Sequence, residues 1–278
     1  MKRLFDELCQ DVSKRATQKY STSFSLGILA LSPAIRPAIY GIYGYVRLAD
    51  EIVDSFHDYD KQGLLTRLKL ETTTAIKEGI SLNPILQSFQ DIVNSYHIDM
   101  QLVEQFLYSM EMDLKPVAYN ADSYQTYIYG SAEVVGLMCL QVFTKGDAVQ
   151  YELLKPYARK LGSAFQKVNF LRDLKDDYQL LGRSYFPNIE MGCFDDGVKF
   201  QIEQEIEKEF KEALLGIRKL PKSAMFGVYL AYKYYFSLFK KIKSNSSAQI
   251  LQNRIRIPNS QKAIVAFKSY LRYKTALL

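Results

Sequence analysis

The sequence predicts an all-α bundle of roughly ten helices. Apolar residues recur at spacings of three and four through most of the chain, helix breakers fall between those runs, and strand-like alternation is hard to find. A chain of 278 residues with 48% hydrophobic content can bury a large core. It contains no Pro/Gly/Ser-rich linker, low-complexity tract or fixed-period repeat, so residues 1–278 read as a single domain.

Taken in order, helical periodicity covers Arg3 to Gln18, Pro33 to Phe56, Lys61 to Glu78, Pro84 to Ser95 and Gln101 to Lys115. It resumes over Ser123 to Phe143, Ala148 to Leu180, Gln201 to Leu220, Ser223 to Lys243 and Ser260 to Tyr273. Ser32-Pro33 and Asn83-Pro84 have the form of helix entries, because proline in the first turn loses no hydrogen bond. Pro221 separates two late helices, Gly182 to Pro187 ends the helix before it, and Ser244 to Ser247 reads as a helix-to-helix loop.

Composition excludes several classes. Charges at Lys2, Arg3, Asp6 and Glu7 stand where a signal peptide would be apolar, so the expected location is the cytoplasm. Cys9, Cys139 and Cys193 lack disulfide or metal-ligand spacing and are expected to be packing residues. The run Met225 to Phe239, interrupted by Lys233, is short for a membrane span and reads as a buried helix. Net charge is +6 and the tail from Lys233 is basic, which suits peripheral contact with the inner face of a membrane. No nucleic-acid motif accompanies that charge, so nucleic acid is not an expected partner.

Two acidic motifs carry the chemistry. Asp50 to Asp54 and Asp173 to Asp177 each place aspartates four positions apart, on one face of a helix. Chance alone supplies some pairs at that spacing. The first pair, however, ends the apolar and aromatic stretch Pro37 to Ala49, where bare carboxylates would be costly and mutually repelling. Gln166, Asn169, Asp173 and Asp177 form one polar stripe, an oxygen-rich set suited to magnesium that keeps water and bridges to phosphate. Two such helices face to face would bring four carboxylates to one cavity. The 21 tyrosines and 16 phenylalanines add a second signal, with Tyr40, Tyr43 and Tyr45 before the first motif and Tyr127 and Tyr129 elsewhere. Aromatic faces attract cations where water is excluded, although any single ring is by default core.

With Arg47 to Asp54, Gln166 to Asp177 and Gly182 to Pro187 in view, the chain resembles the squalene and phytoene synthases over nearly its whole length. Thr22 to Ser25, Met110 to Leu114 and Tyr127 to Gly136 fit the same resemblance, and the first motif is most similar to bacterial phytoene and dehydrosqualene synthases. The resemblance implies a class I isoprenoid synthase bundle around a central cavity. It implies magnesium-dependent head-to-head condensation of two prenyl diphosphates through a cyclopropylcarbinyl diphosphate. Two geranylgeranyl diphosphates would give phytoene; the alternative is farnesyl diphosphate, giving dehydrosqualene, squalene or presqualene diphosphate. The resemblance also implies that manganese can substitute for magnesium, and that NADPH enters only if the product is squalene.

By the same resemblance Asp50, Asp54, Asn169, Asp173 and Asp177 hold metal. The four aspartates and Tyr127 are the catalytic set. Ser23, Tyr43, Arg47, Gln166, Asn169, Arg172, Tyr235 and Arg254 bind substrate or diphosphate. Arg47 also has the spacing to pair with Asp50 or Asp54 across a turn, and Tyr235 could be core. Two residues depart from the family pattern: Glu133, where glycine is common, sits outside the cavity or alters it, and Lys175 is expected to face solvent. Other readings are a terpene cyclase or head-to-tail synthase, whose differently spaced motifs are not found, and a non-catalytic helical protein that binds lipid.

Overall fold

Side-chain caps set most helix starts. Ser21, Asp60, Asn83, Asp99, Asn120, Asp195 and Ser246 each accept a hydrogen bond from a backbone N–H of the first turn, supplying the partner that turn lacks. Left-handed residues end others, at Gly79 (φ 71°), His97 (φ 52°) and Lys145 (φ 52°). The structure is a computed structural model describing residues 1–115, 119–181, 185–187 and 194–275, with side chains described only to 176 in the second range.

The elements run α1 (Lys2–Tyr20), α2 (Thr22–Leu29), α3 (Arg36–Asp54), α4 (Lys61–Glu78), α5 (Pro84–Tyr96) and α6 (Met100–Asp113). Then follow α7 (Ala121–Ile128), a π turn (Tyr129–Glu133), α8 (Val134–Thr144), α9 (Ala148–Leu181), α10 (Asp196–Ile217), α11 (Lys222–Lys243), α12 (Ser247–Gln252) and α13 (Asn259–Lys274). All ten expected helices are present, and the described residues contain no strand. Two short helices were not anticipated. Thr22–Leu29 is helical because Ser21 caps it, and Ser246 caps α12, so the expected loop at 244–247 ends in a helix start.

The bundle has two adjoining cores. One gathers α3, α5, α6 and α8, with Tyr45 stacked on Phe89 at 3.8 Å. The other gathers α7, α9, α10 and α11 around Phe210. Glycine permits two close approaches that bring the helices together. A Cβ at Gly41 would lie 2.1 Å from Ile92 Cδ1, and one at Gly162 would lie 2.7 Å from the Ala132 carbonyl oxygen in the π turn. A buried ion network joins α9 to α10: Lys167 donates to Glu209 at 2.9 Å, as does Ser163 at 2.9 Å.

Met225–Phe239 lies within α11, as expected of a core helix. Among the described residues, the helix that is long and apolar enough to cross a membrane is instead Ala121–Thr144, and 56% of its apolar window is buried.

Candidate active site

A cavity of about 600 Å³ opens where the two cores meet. Its polar end is built from two facing helices. On α3 the residues Tyr43, Arg47, Asp50 and Asp54 follow one another at four, three and four, and all line the cavity. Tyr40 and Tyr45, expected beside them, fall on other faces of the same helix and are buried away from the cavity; Tyr45 bonds Thr72 at 3.2 Å. On α9 the stripe Gln166, Asn169 and Asp173 lines the opposite wall with Arg172. Asp177 belongs to the same helix, but its side chain lies outside the described residues.

Electrostatics at this end are unbalanced. The Asp50 carboxyl is pushed up to about 7, first by loss of solvation and then by the charge of Asp54, with Asp113 and Glu51 adding and Arg47 opposing. Asp50 is half-buried and lines the cavity. Arg47 pairs with Glu51 one turn on, rather than with Asp50 or Asp54, and lies over the Tyr20 ring at 4.3 Å. Its buried Nε finds no hydrogen-bond partner among the described residues, nor does the buried Oδ1 of Asn169. One is a donor suited to an anion and the other an acceptor suited to a cation. On the far wall Arg172 and Arg254 both grip Asp173, the latter at 2.8 Å, and Arg254 also approaches Asp176 at 3.6 Å.

Of the four carboxylates expected in one cluster, Asp50, Asp54 and Asp173 line the cavity, and the fourth, on Asp177, lies outside the described residues. Among the described residues no three carboxylate, histidine or cysteine groups are close enough to share one metal ion. Asp50 and Asp54 stand on one wall and Asp173 on the other, and carboxylates from both helices would be the ligands offered to magnesium. The donor set fits magnesium. It offers carboxylate oxygens, an orphaned amide oxygen at Asn169, and a carboxyl at Asp50 whose raised proton affinity a cation would reverse.

Below the polar end the walls are aromatic. Phe24, Tyr43, Phe165 and Tyr235 form one group, with Phe165 and Tyr235 stacked at 3.9 Å. Tyr43 is hydrogen-bonded to Ser21, and burial, with Tyr235 beside it, pushes its hydroxyl up to about 12. Tyr235, which could have been core alone, lines the cavity. Tyr127, Phe170 and Tyr185 form the second group, with Phe170 and Tyr185 stacked at 4.3 Å. Beneath it lies Asp113, to which no pattern in the sequence assigns a role. Asp113 is buried and accepts hydrogen bonds from Tyr127 at 2.7 Å and Tyr185 at 3.1 Å. Asp113 and Tyr185 both sit in segments that carried the resemblance, but nothing local links residues 72 apart in the chain.

Three expectations need correction or completion. Ser23 does not line the main cavity; Ser21, Phe24 and Gly27 hold that face of α2, and Ser23 points into a neighbouring cavity of about 290 Å³ that shares Ser21, Arg172 and Tyr235. Glu133 is buried outside the cavity lining and accepts from Arg159 at 2.5 Å, while Arg159 covers the ring of Tyr129. Lys175 is half-buried. Of the cysteines, Cys9 is buried as packing, Cys139 lines the cavity, and Cys193 lies outside the described residues, as do Gly182, Arg183 and Ser184.

Residues 17–261 match the family model for squalene/phytoene synthase. The chain belongs to the squalene/phytoene synthase family. Curated members it resembles include phytoene synthase 1 of Solanum lycopersicum, 27% identical over 91% of this chain and 66% of the tomato protein. The 15-cis-phytoene synthase of Synechocystis is 26% identical over 96% and 86%. The 4,4'-diapophytoene synthase of Staphylococcus haemolyticus is 27% identical over 72% and 68%. The chain spans under two thirds of the length of the plant members, for example 58% of the Arabidopsis thaliana enzyme. The squalene/phytoene synthase fold is the same as in solved structures. A dehydrosqualene synthase superposes with a TM-score of 0.83 at 19% identity, covering 97% of this chain and 98% of that one. A squalene synthase from Alicyclobacillus acidocaldarius gives 0.74 at 19% identity, covering 89% and 95%.

Proposed function

We propose that the protein is a prenyltransferase that joins two prenyl diphosphates head to head, with phytoene from geranylgeranyl diphosphate as the leading product. The single observation that carries the reading is the cavity's division. Carboxylates and arginines sit at one end, with Arg47 Nε and Asn169 Oδ1 unbonded among the described residues, and an aromatic and aliphatic interior lies below. Relatives named as phytoene synthases support the longer substrate, and the diapophytoene synthase relative supports farnesyl diphosphate as the alternative.

Asp50, Asp54, Asn169, Asp173 and, by resemblance, Asp177 would hold magnesium, or manganese in its place. Bound there, the metal supplies positive charge to the departing diphosphate. Arg47 Nε donates to a phosphate oxygen, and Arg172 and Arg254, which lie against Asp173 at the cavity wall, are placed to do the same. Ionisation leaves an allylic cation that the second substrate's double bond attacks; loss of a proton from the joined C1 closes the ring of a cyclopropylcarbinyl diphosphate, whose own diphosphate then leaves to give a second cation. The rings of Tyr127, Phe170 and Tyr185 stabilise the second cation and exclude water from it. Proton loss then yields the hydrocarbon, whereas hydride capture from NADPH would yield squalene. A water-insoluble product favours a cytoplasmic enzyme held peripherally on the inner membrane face.

Incubation with geranylgeranyl or farnesyl diphosphate and magnesium, with and without NADPH, followed by mass analysis of the extracted lipid, tests the reading. A forty-carbon triene-centred product independent of NADPH is expected. Intact substrate in every arm would overturn it.

A further inference from the structure

Charge is segregated along this chain. Of 36 basic and 30 acidic residues, thirteen basic and no acidic ones lie in residues 213–278, so that part carries +13 and the rest −7. Helix α13 concentrates the feature on a surface with two distinct faces. Its inner face, through Val265, Ala266, Ser269 and Tyr273, turns toward the protein, and Phe226 of α11 meets Tyr273 at 5.0 Å. Its outer face exposes Ile264, Phe267 and Leu271, at 54%, 65% and 46% of their full accessibility. Spacings of three and four put these three in one stripe, directly opposite the packed face. Lys268 and Arg272 flank the stripe on one side and Lys274 on the other, all exposed.

We infer that the outer face of α13 docks this protein on an anionic lipid bilayer, with Ile264, Phe267 and Leu271 entering the acyl boundary and Lys268, Arg272 and Lys274 meeting lipid phosphates. An apolar stripe bordered by cations, with no acidic residue on the helix, matches the two layers of an anionic membrane surface. Nucleic acid would satisfy the cations but leave Phe267 and Ile264 without use. The orientation has a consequence that rests on the prenyltransferase reading. Asn259 and Lys262, at the start of α13, line the smaller cavity beside Arg172 and Tyr235, and Lys262 bonds Thr22 of α2 at 2.7 Å. Docking through α13 therefore seats the polar end of the active cavity close to the headgroups, where amphiphilic substrate is held and hydrocarbon must go.

The test is flotation of the full chain with vesicles of phosphatidylcholine alone or mixed with phosphatidylglycerol. The parent should float with the anionic vesicles at low salt and progressively less as salt rises. F267S/L271S and K268E/R272E should each weaken that partition by about tenfold or more. K208E, the same kind of charge change on exposed α10, should leave it within about twofold. All these side chains are exposed, so melting temperatures should match the parent, and magnesium-dependent diphosphate release in detergent should be unchanged. Flotation that is equal on neutral vesicles, or unaltered by both double variants, would overturn the inference. So would α13-dependent binding of a duplex oligonucleotide without vesicle binding. Loss of diphosphate release in the parent would instead count against the catalytic reading alone.

Discussion

Asp50 is asked to be charged where charge is least welcome. Its ordinary value is 3.8 and burial beside Asp54 raises it to about 7. Between those values the folded protein binds more protons than the unfolded chain, so its contribution to stability falls as pH rises from about 4 to about 7 and stays low above. In chelator, Asp50→Asn should therefore raise the melting temperature at pH 8, by roughly 1–3 kcal/mol of stability, and give little gain at pH 5. A melting temperature below the parent's at pH 8 would contradict this. Asp113 tests the second aromatic group. Asp113→Asn removes the charge that holds the Tyr127 and Tyr185 hydroxyls, and Tyr127→Phe removes the nearer donor. Both should slow product formation by about 10²-fold or more, an effect typical of disturbed positioned polar groups. Accumulated cyclopropylcarbinyl diphosphate in either variant would place the loss after the first ionisation. The α3 face was legible in the sequence because one helical period links Tyr43, Arg47, Asp50 and Asp54. Asp113 with Tyr185 was not, since only tertiary packing brings them together. Arg47 shows the same limit, for its spacing suits Asp50 and Glu51 alike and rotamer choice decides for Glu51.

At the scale of elements, α9 is held to α10 by charge inside the core. Lys167 is 1% exposed and its ammonium meets Glu209, itself nearly buried. Removing one partner of such a pair strands the other, so Lys167→Ala should cost about 3–5 kcal/mol in a urea titration. Glu205→Gln, at the half-exposed end of the same network, should cost under about 1 kcal/mol. Gly162→Ala should also destabilise, by about 1–3 kcal/mol, because its Cβ would press on the backbone of the π turn rather than on a flexible side chain. Most long helices were readable from periodicity and their caps. The π turn was not, since the same Tyr129–Glu133 residues suit a regular helix and only close approach between α9 and the turn distinguishes them. Helix α2 escaped notice because eight residues hold too little periodicity to separate it from a loop.

Taken whole, the molecule sets two helix faces opposite each other at the mouth of one cavity, and the family pattern is legible because those faces keep their spacing. What one sequence did not reveal is how far apart the walls stand, and hence that Asp173 rests on Arg172 and Arg254 instead of meeting Asp50. If the two walls form one metal-diphosphate site, neither should work without the other. The most direct measurement is magnesium-dependent release of diphosphate from geranylgeranyl and farnesyl diphosphate by the parent, Asp50→Asn and Asp173→Asn, each first shown to be folded. Release by the parent that vanishes without magnesium and falls by about 10²-fold or more in both variants is the predicted result. Release from neither substrate, or two variants that turn over like the parent, would contradict it.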